Sequence, residues 1–345
     1  MRVISRRTTL VGMFGVGLTA CAPSQPLEGD SAQLSGMGID KFEPGLSDII
    51  ALDAPFETLA TGYRWSEGPT WDRARNTLYF TDVPGNKAYQ WREGQPVSVF
   101  LDPSGSAETE GFREPGANGL WYAADGSLLM CNHGHRAVER RDLETGQVTV
   151  LADAYAGRSL NSPNDLVQAR SGMIFFTDPP YGLEGLDASP LKQQDANGVY
   201  RLNLDGSVTR LVADMTFPNG VALSPDEQVL YVSQSDPEAP ILRAFDLNPA
   251  GEAISDRTLF DAKPFMSRDA PGLPDGMAIT ERGEIFVTGP GGVFVLAPDG
   301  TALGRLRTVR ATANCAFGED GRTLFITAGD RLLRIRTKVR GIQWS

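Results

Sequence analysis

The chain is poor in the residues that build several common kinds of site. Its 345 residues include only two histidines and three cysteines, so neither an imidazole-rich zinc site nor a disulfide framework is expected. Lysines and arginines form no block and the net charge at pH 7 is −11, which argues against a nucleic-acid partner. The sequence has no Gly-x-Ser-x-Gly, His-Glu-x-x-His or Walker motif, so no covalent nucleophile or phosphate-binding loop is visible.

Long apolar runs are also missing, and the N-terminal run is too short to span a membrane. Three arginines among the first seven residues precede it, and it ends in Leu18-Thr19-Ala20-Cys21, which resembles a bacterial lipobox. We predict a lipoprotein-type signal peptide over residues 1–20 and lipidation of Cys21. The protein would then lie in the bacterial cell envelope or periplasm and touch the membrane only through this anchor. An ordinary cleaved signal is the alternative, and residues 21–55 are interpreted as a tether and lead-in.

What the sequence does contain is a repeat. Each unit has a carboxylate or amide residue, a short apolar strand, a polar turn and a second β-rich strand, often followed by a Thr-Asp or Thr-Gly stop. The units begin 39 to 56 positions apart, at Glu67, Asn118, Asn164, Asn219, Asp275 and Asn314. Four strands with their loops fill such a period, which is that of a propeller blade. We therefore predict an all-β, six-bladed β-propeller over residues 56–340, closed by an N-terminal strand.

The first strand of each blade lines the central channel of a propeller, so the six opening residues should meet at one mouth of that channel. Two carboxylates brought close together repel unless a cation or a proton lies between them. Two carboxylates with neutral amide oxygens suit a hard divalent cation. Cys131 and Cys315 are 184 positions apart and are interpreted as isolated buried residues rather than as a disulfide.

Five blocks resemble the gluconolactonase, regucalcin and luciferin-regenerating-enzyme-like family, in its bacterial gluconolactonase-like branch. These blocks begin at Ser66 (SEGP), Asn161 (NSPND), Thr177 (TDPPYG), Pro218 (PNG) and Pro274 (PDGM). The resemblance implies a lactonase with one divalent ion on the axis. It makes Glu67, Asn219 and Asp275 the metal ligands, with Asp275 also the catalytic base. Asn164 would bind substrate or complete the coordination, while Asn118 and His133 are weaker candidates for substrate binding.

Animal members have an arginine two places before the equivalent of Asn164, where this chain has Ser162, so the substrate must be held differently. Oxygen ligands favour Ca²⁺, Mg²⁺ or Mn²⁺, and an envelope location favours Ca²⁺; family members vary, so Zn²⁺ and Fe²⁺ stay open. The substrate is expected to be a small sugar-acid lactone, while its identity and the oligomeric state stay open. The alternatives are a related esterase or phosphotriesterase and a non-catalytic binding propeller with a structural metal.

Overall fold

The computed structural model describes residues 36–342. The predicted signal peptide, Cys21 and the first part of the predicted lead-in lie outside these residues, so the export signal and the lipid anchor stay predictions. Within residues 36–342, no helix is long and apolar enough to cross a membrane. The only α-helix in this part of the chain has four residues, and nearly all other regular structure is β-strand.

Six antiparallel sheets form the blades of a propeller, numbered here by their order along the chain. The chain enters through β1 (Gly38–Lys41), α1 (Leu46–Ile49) and β2 (Phe56–Thr61). Blades 1 and 2 contain β3 (Ser66–Asp72), β4 (Thr77–Asp82), β5 (Lys87–Trp91), β6 (Ser98–Leu101), β7 (Ala117–Tyr122), β8 (Leu128–Asn132), β9 (Ala137–Arg141) and β10 (Val148–Ala152). A short ribbon follows, formed by β11 (Ala154–Tyr155) and β12 (Arg158–Ser159).

Blades 3 and 4 contain β13 (Leu166–Gln168), β14 (Ile174–Asp178), β15 (Gly198–Leu202), β16 (Val208–Val212), β17 (Pro218–Leu223), β18 (Val229–Gln234), β19 (Ile241–Leu247) and β20 (Ala253–Asp261). Blades 5 and 6 contain β21 (Met277–Ile279), β22 (Ile285–Gly289), β23 (Gly292–Leu296), β24 (Ala302–Arg307), β25 (Asn314–Gly318), β26 (Thr323–Ala328) and β27 (Arg331–Arg336). Two 3₁₀ turns, Leu186–Ala188 and Lys263–Phe265, lie in loops. The six-bladed all-β architecture is therefore confirmed.

The ring is closed by the N-terminal segment, as predicted. Strand β2 pairs antiparallel with β27, with Phe56 opposite Ile335 and Thr61 opposite Arg331, and so supplies the fourth strand of blade 6. This pairing covers the hydrogen-bonding edge that β27 would otherwise expose. Blade 6 is thus built from both ends of the propeller sequence, which holds the ring shut without a covalent link.

The lead-in differs from the prediction of a tether over residues 21–55. Strand β1 pairs with β24 as a fifth strand of blade 5. Leu46, Ile49 and Ile50, in and after α1, are buried against the apolar side chains of blades 5 and 6. Because apolar residues at this spacing lose water contact only by packing, the chain from Gly38 onwards belongs to the folded propeller.

The apolar core is divided among the spaces between neighbouring blades. One large cluster joins β13–β16 to β17–β19, and another joins β17–β20 of blade 4 to β21–β23 of blade 5. The central apolar residue of the second strand in every repeat unit is at most 5% exposed: Tyr79, Leu129, Phe175, Tyr231, Phe286 and Phe325. Cys131 and Cys315 are buried and unpaired, so the interpretation of both as isolated buried residues is confirmed.

Hydroxyl groups near the ends of the second strands join blade 1 to blade 2, blade 3 to blade 4, and blade 4 to blade 5. Thr81 donates a hydrogen bond to the Asn118 carbonyl at 3.1 Å, and Thr177 donates to the Asn219 carbonyl at 2.5 Å. Ser233 donates to the Asp275 carbonyl at 2.7 Å. A threonine or serine at this position of the second strand therefore fixes the backbone of an opening residue in the neighbouring blade.

The glycines that follow four of the opening residues allow the inner strands to approach closely. A Cβ on Gly220 would lie 2.3 Å from the carbonyl oxygen of Asp275, and one on Gly276 would lie 1.9 Å from the Asn314 side chain. Such distances are well inside van der Waals contact, so both positions exclude any side chain. The ring of opening residues is narrow because of these glycines.

Candidate active site

Five of the six opening residues meet in one cavity at the channel mouth. Glu67, Asn118, Asn164, Asn219 and Asp275 all line this cavity, whose volume is about 620 Å³. The sixth opening residue, Asn314, lies deeper and lines a separate cavity farther down the channel. The convergence expected from the repeat is thus present for the five residues nearest the mouth. A space of this size suits a small ligand rather than a macromolecule.

The three asparagines are joined by hydrogen bonds between their side chains. The Nδ2 atom of Asn118 donates to Oδ1 of Asn164 at 2.7 Å, and Nδ2 of Asn164 donates to Oδ1 of Asn219 at 2.5 Å. All three side chains are nearly buried, being 3–5% exposed. The amides of blades 2, 3 and 4 therefore form one continuous arc along the wall of the cavity.

The two carboxylates that complete the ring lack a positive partner. Burial raises the pKa of Glu67 to about 8, although a hydrogen bond from the Gly68 backbone N–H at 2.9 Å partly offsets this. Burial, followed by the negative charge of Glu67, raises the pKa of Asp275 well above its usual range. The Oδ1 atom of Asp275 is shielded from solvent and has no hydrogen-bond partner. Few buried acceptors in native proteins lack a donor, so a proton, a water molecule or a cation is expected at this oxygen.

A third buried carboxylate, Asp165, lies just below the ring and was missed in the sequence. It accepts a hydrogen bond from the Leu166 N–H at 2.9 Å, and burial raises its pKa to about 6. Its charge also raises the pKa values of Glu67 and Asp275. The available signal was the repeat itself, because glycine follows four opening residues whereas an aspartate follows Asn164.

His133 does not lie in the cavity wall. It is fully buried behind Asn118, with its Nε2 atom 3.2 Å from Nδ2 of Asn118, and burial lowers its pKa to about 4. A side chain in this position cannot reach a ligand past Asn118. The prediction that His133 binds substrate therefore does not fit the geometry, which gives it a contact with Asn118 instead.

Loops between blades supply the rest of the cavity. Arg113 is the only cation among the described residues that line it, and it forms an ion pair with Glu114. Tyr181 stacks on Phe217 with ring centroids 5.7 Å apart. Ser162 points elsewhere, since its hydroxyl donates to the Pro179 carbonyl at 2.6 Å and accepts from the Gly182 N–H at 2.9 Å. The basic group of this cavity thus comes from the loop before β7 and not from position 162, where animal members have an arginine.

The residues present fit a divalent cation. Glu67 and Asp275 offer carboxylate oxygens and Asn219 offers an amide oxygen, which are the ligand types that hard cations prefer. No group of three or more His, Cys, Asp or Glu side chains in residues 36–342 forms a metal site, so any site here depends on amide oxygens. The uncompensated Asp275 oxygen and the raised carboxylate pKa values are what a cation would relieve.

The fold and the site together define the class of protein: a six-bladed β-propeller with an oxygen-rich site on the channel axis. The family described as SMP-30/Gluconolactonase/LRE-like region matches residues 65–330. Gluconolactonase from Zymomonas mobilis subsp. mobilis is 42% identical over 353 residues, which cover 98% of this chain and 99% of that protein. The chain therefore belongs to the SMP-30/gluconolactonase/LRE-like family and is a gluconolactonase-like hydrolase of carboxylic esters.

Two solved structures illustrate the range of the similarity. A gluconolactonase from Xanthomonas campestris has a TM-score of 0.75 and 36% identity, covering 87% of this chain and 94% of its own. Regucalcin from Agrobacterium tumefaciens, a calcium-binding protein, has a TM-score of 0.65 at 20% identity, covering 83% of this chain and 94% of its own. The second likeness shows the shared fold alone.

Proposed function

We propose that the protein hydrolyses a sugar-acid lactone with the help of one divalent cation, Ca²⁺ being the first choice. The observation that carries this proposal is the convergence of Glu67, Asn219 and Asp275 on one cavity, with an Asp275 oxygen that has no protein partner. Similarity to gluconolactonases over nearly the full chain supports the substrate class. The three residues would hold the ion, and Asn164 lies beside them to hold substrate or complete the coordination.

The chemistry requires a polarised carbonyl, an activated water and a place for the alkoxide that leaves. A bound divalent ion would polarise the ester carbonyl and stabilise the charge that develops on its oxygen. Asp275 would accept the proton of the attacking water through whichever of its carboxylate oxygens does not hold the ion. The leaving alkoxide stays tethered in a lactone, so a single proton returned by the carboxyl group completes the reaction.

Substrate hydroxyl groups would be held by the amides and by the loops. Asn118 and Asn164 face the cavity together with Arg113 and Tyr181. Asn118 uses its amide nitrogen in both of its side-chain hydrogen bonds, to Asn164 and His133. Its oxygen would therefore accept from a sugar hydroxyl. Arg113 would donate to a ring or hydroxyl oxygen on the other side.

The test is hydrolysis of glucono-1,5-lactone and a panel of aldonolactones by the purified protein, with and without a chelator. Asp275→Asn should lower kcat by about 10²–10⁴-fold, the usual contribution of a general base. Asp72→Asn is the matched control, since Asp72 is a buried carboxylate at the far end of β3 that pairs with Arg75 at 3.1 Å. Turnover that persists in the chelator or in Asp275→Asn would contradict the mechanism. A protein that is stabilised by the cation but cleaves no lactone or ester would instead be a non-catalytic binding propeller.

A further inference from the structure

The side-chain amides of Asn118, Asn164 and Asn219 form a series of hydrogen bonds, called here the amide chain. Its direction, meaning which amide donates to which, is set by a group that can only accept hydrogen bonds. The carbonyl oxygen of Pro274 accepts from the Ser235 hydroxyl at 2.6 Å. A hydroxyl has one hydrogen to donate, so Ser235 must act as an acceptor toward its remaining neighbours. One of them is Nδ2 of Asn219, at 2.9 Å, and the Tyr181 hydroxyl is another. Ser235 thus requires the nitrogen of the Asn219 amide on its own side.

The same direction then passes along the arc of amides. With its nitrogen toward Ser235, Asn219 presents its oxygen to Asn164, which donates at 2.5 Å. Asn164 in turn presents its oxygen to Asn118, which donates at 2.7 Å. If the Asn219 amide were reversed, its nitrogen would face the nitrogen of Asn164. Its oxygen would face Ser235, which would have to break its hydrogen bond to the Pro274 carbonyl in order to donate to that oxygen. Each reversal therefore leaves a donor or an acceptor without its partner.

At the far end of the amide chain, Asn118 requires His133 to be an acceptor. Nδ2 of Asn118 lies 3.2 Å from Nε2 of His133, and the other ring nitrogen, Nδ1, lies 3.9 Å from a carboxylate oxygen of Glu114. A neutral imidazole with its hydrogen on Nδ1 leaves Nε2 free to accept. Burial of the ring, which lowers the pKa of His133 to about 4, keeps it neutral. The hydrogen bonds therefore diverge from Asn118: its nitrogen donates to His133 on one side and, on the other side, to Asn164, from which Asn219 and Ser235 pass the same direction on to the Pro274 carbonyl.

We infer that Ser235 and His133 are positioning residues that act through the amides. Ser235, fixed by the Pro274 carbonyl, turns the Asn219 oxygen toward the axis where a cation would bind. His133 fixes the Asn118 amide so that its oxygen, not its nitrogen, is left for substrate. Ser235 also ties Asn219 of blade 4 to the residue that precedes Asp275 of blade 5. The expected effects on cation and substrate binding rest on the proposed function. The direction of the amide chain follows from the hydrogen bonds alone.

The first experiment measures cation binding to the full chain after chelator treatment, with Ca²⁺ alone as the probe in calorimetric titration. Ser235→Ala should weaken Ca²⁺ binding by about 10–100-fold, the usual effect of losing a group that orients a metal ligand. Ser235→Thr keeps the hydroxyl and should stay within about threefold of the parent protein. The matched control is Ser224→Ala in the same hairpin: its hydroxyl donates to Asp226 at 2.6 Å and accepts from the Val229 N–H at 2.9 Å. It should lose stability without losing Ca²⁺ affinity.

The second experiment distinguishes the effects of the two ends of the amide chain, Ser235 and His133. His133→Phe removes the acceptor beside Asn118, so KM for the lactone should rise while Ca²⁺ affinity changes little. His135→Phe is its control, because His135 is half-exposed and pairs with Glu139 at 2.7 Å outside the cavity. Unchanged Ca²⁺ affinity in Ser235→Ala, or equal effects of Ser235→Ala and Ser224→Ala, would overturn the role of Ser235. An unchanged KM in His133→Phe would overturn that of His133.

A third measurement decides the direction of the chain without any cation. Neutron diffraction from crystals of the chelator-treated protein locates the deuterium atoms on the amides. Deuterium on the Asn219 nitrogen that faces Ser235, and on the Asn164 nitrogen that faces Asn219, is the expected result; the reverse arrangement would overturn the inference. Absence of Ca²⁺ binding by the parent protein would instead count against the proposed function, and the two failures are therefore distinguishable.

Discussion

Glu67 gives a prediction about stability that can be worked through in numbers. In the cation-free protein this buried carboxyl group faces Asp275 and Asp165, and its pKa is raised from 4.5 to about 8. Replacing it by glutamine keeps the oxygen that accepts from the Gly68 N–H but removes the charge. Glu67→Gln should therefore make the cation-free protein more stable at alkaline pH, although it removes a proposed ligand.

The sign follows from proton binding. A carboxyl group with a raised pKa in the folded state binds its proton more tightly there than in the unfolded chain, so stability is lost as the pH rises from about 4.5 to about 8. At about 1.4 kcal/mol per pKa unit, ionising Glu67 costs the folded state about 3–4 kcal/mol more at pH 8 than at pH 5. At about two degrees per kcal/mol, the contribution of Glu67 alone should lower the melting temperature of the parent protein by about 7 °C relative to Glu67→Gln over this range. Asp165 and Asp275, whose pKa values are also raised, remain in both proteins and act in the same direction.

The assay is thermal unfolding of the parent protein and Glu67→Gln between pH 5 and pH 8, in a chelator and then in excess Ca²⁺. In the chelator, the two proteins should have similar melting temperatures at pH 5, and Glu67→Gln should be the more stable at pH 8. In Ca²⁺ the order should reverse at pH 8, because only the parent protein has both carboxylates. Glu284→Gln is the control, since it removes a buried carboxylate whose partner, Arg282, lies 2.8 Å away. A Glu67→Gln protein less stable than the parent in chelator at pH 8 would refute the reasoning.

Two further predictions concern the cavity wall and the narrow ring. Arg113→Gln should raise KM for the lactone by about tenfold and leave kcat nearly unchanged, because a group that binds substrate and transition state alike affects KM. Arg140→Gln, which replaces a half-exposed, ion-paired arginine elsewhere, should change neither constant. A fall in kcat as large as the rise in KM would contradict this role of Arg113. Gly276→Ala should destabilise the protein by about 1–3 kcal/mol in urea unfolding, because the new Cβ atom would clash with Asn314. Gly45→Ala is the control and should not destabilise the protein, since its Cβ atom would lie 3.8 Å from its nearest neighbour. Equal stability of the two variants would contradict the close-packing argument.

The sequence was sufficient to predict the fold because the repeat carries it. The six opening residues and the apolar residue 11 or 12 positions later recur in every unit, and burial of the second set confirms the blade. Closure by β2 could be predicted from counting strands, since the last unit was one strand short. The convergence of Glu67, Asn219 and Asp275 followed from topology, as equivalent positions in a closed ring must be neighbours.

The parts that escaped prediction depend on side-chain direction rather than on position. Ser235 and His133 lie in different repeat units and have no shared motif, and only the positions of their hydrogen-bonding atoms link them through the amides. Asn314 occupies an opening position yet faces the deeper cavity. The strand β1 was missed because four residues carry too short a pattern to separate from a tether. Register and rotamer, which a single sequence does not encode locally, decide all of these.

The arrangement of the site explains why the frame around it is so tightly joined. Glu67, Asp165 and Asp275 repel one another in a buried space, and this repulsion acts to spread the inner strands apart. The hydroxyl bonds between blades and the side-chain-free glycines resist that spreading, since they allow neighbouring inner strands only one close separation. A looser ring would let water reach the carboxylates and lower their pKa values, which would weaken the attraction of the proposed site for a cation. If the site binds a cation as proposed, the packing that destabilises the cation-free protein is also what would favour binding, so stability and the proposed function would be opposed at these three residues.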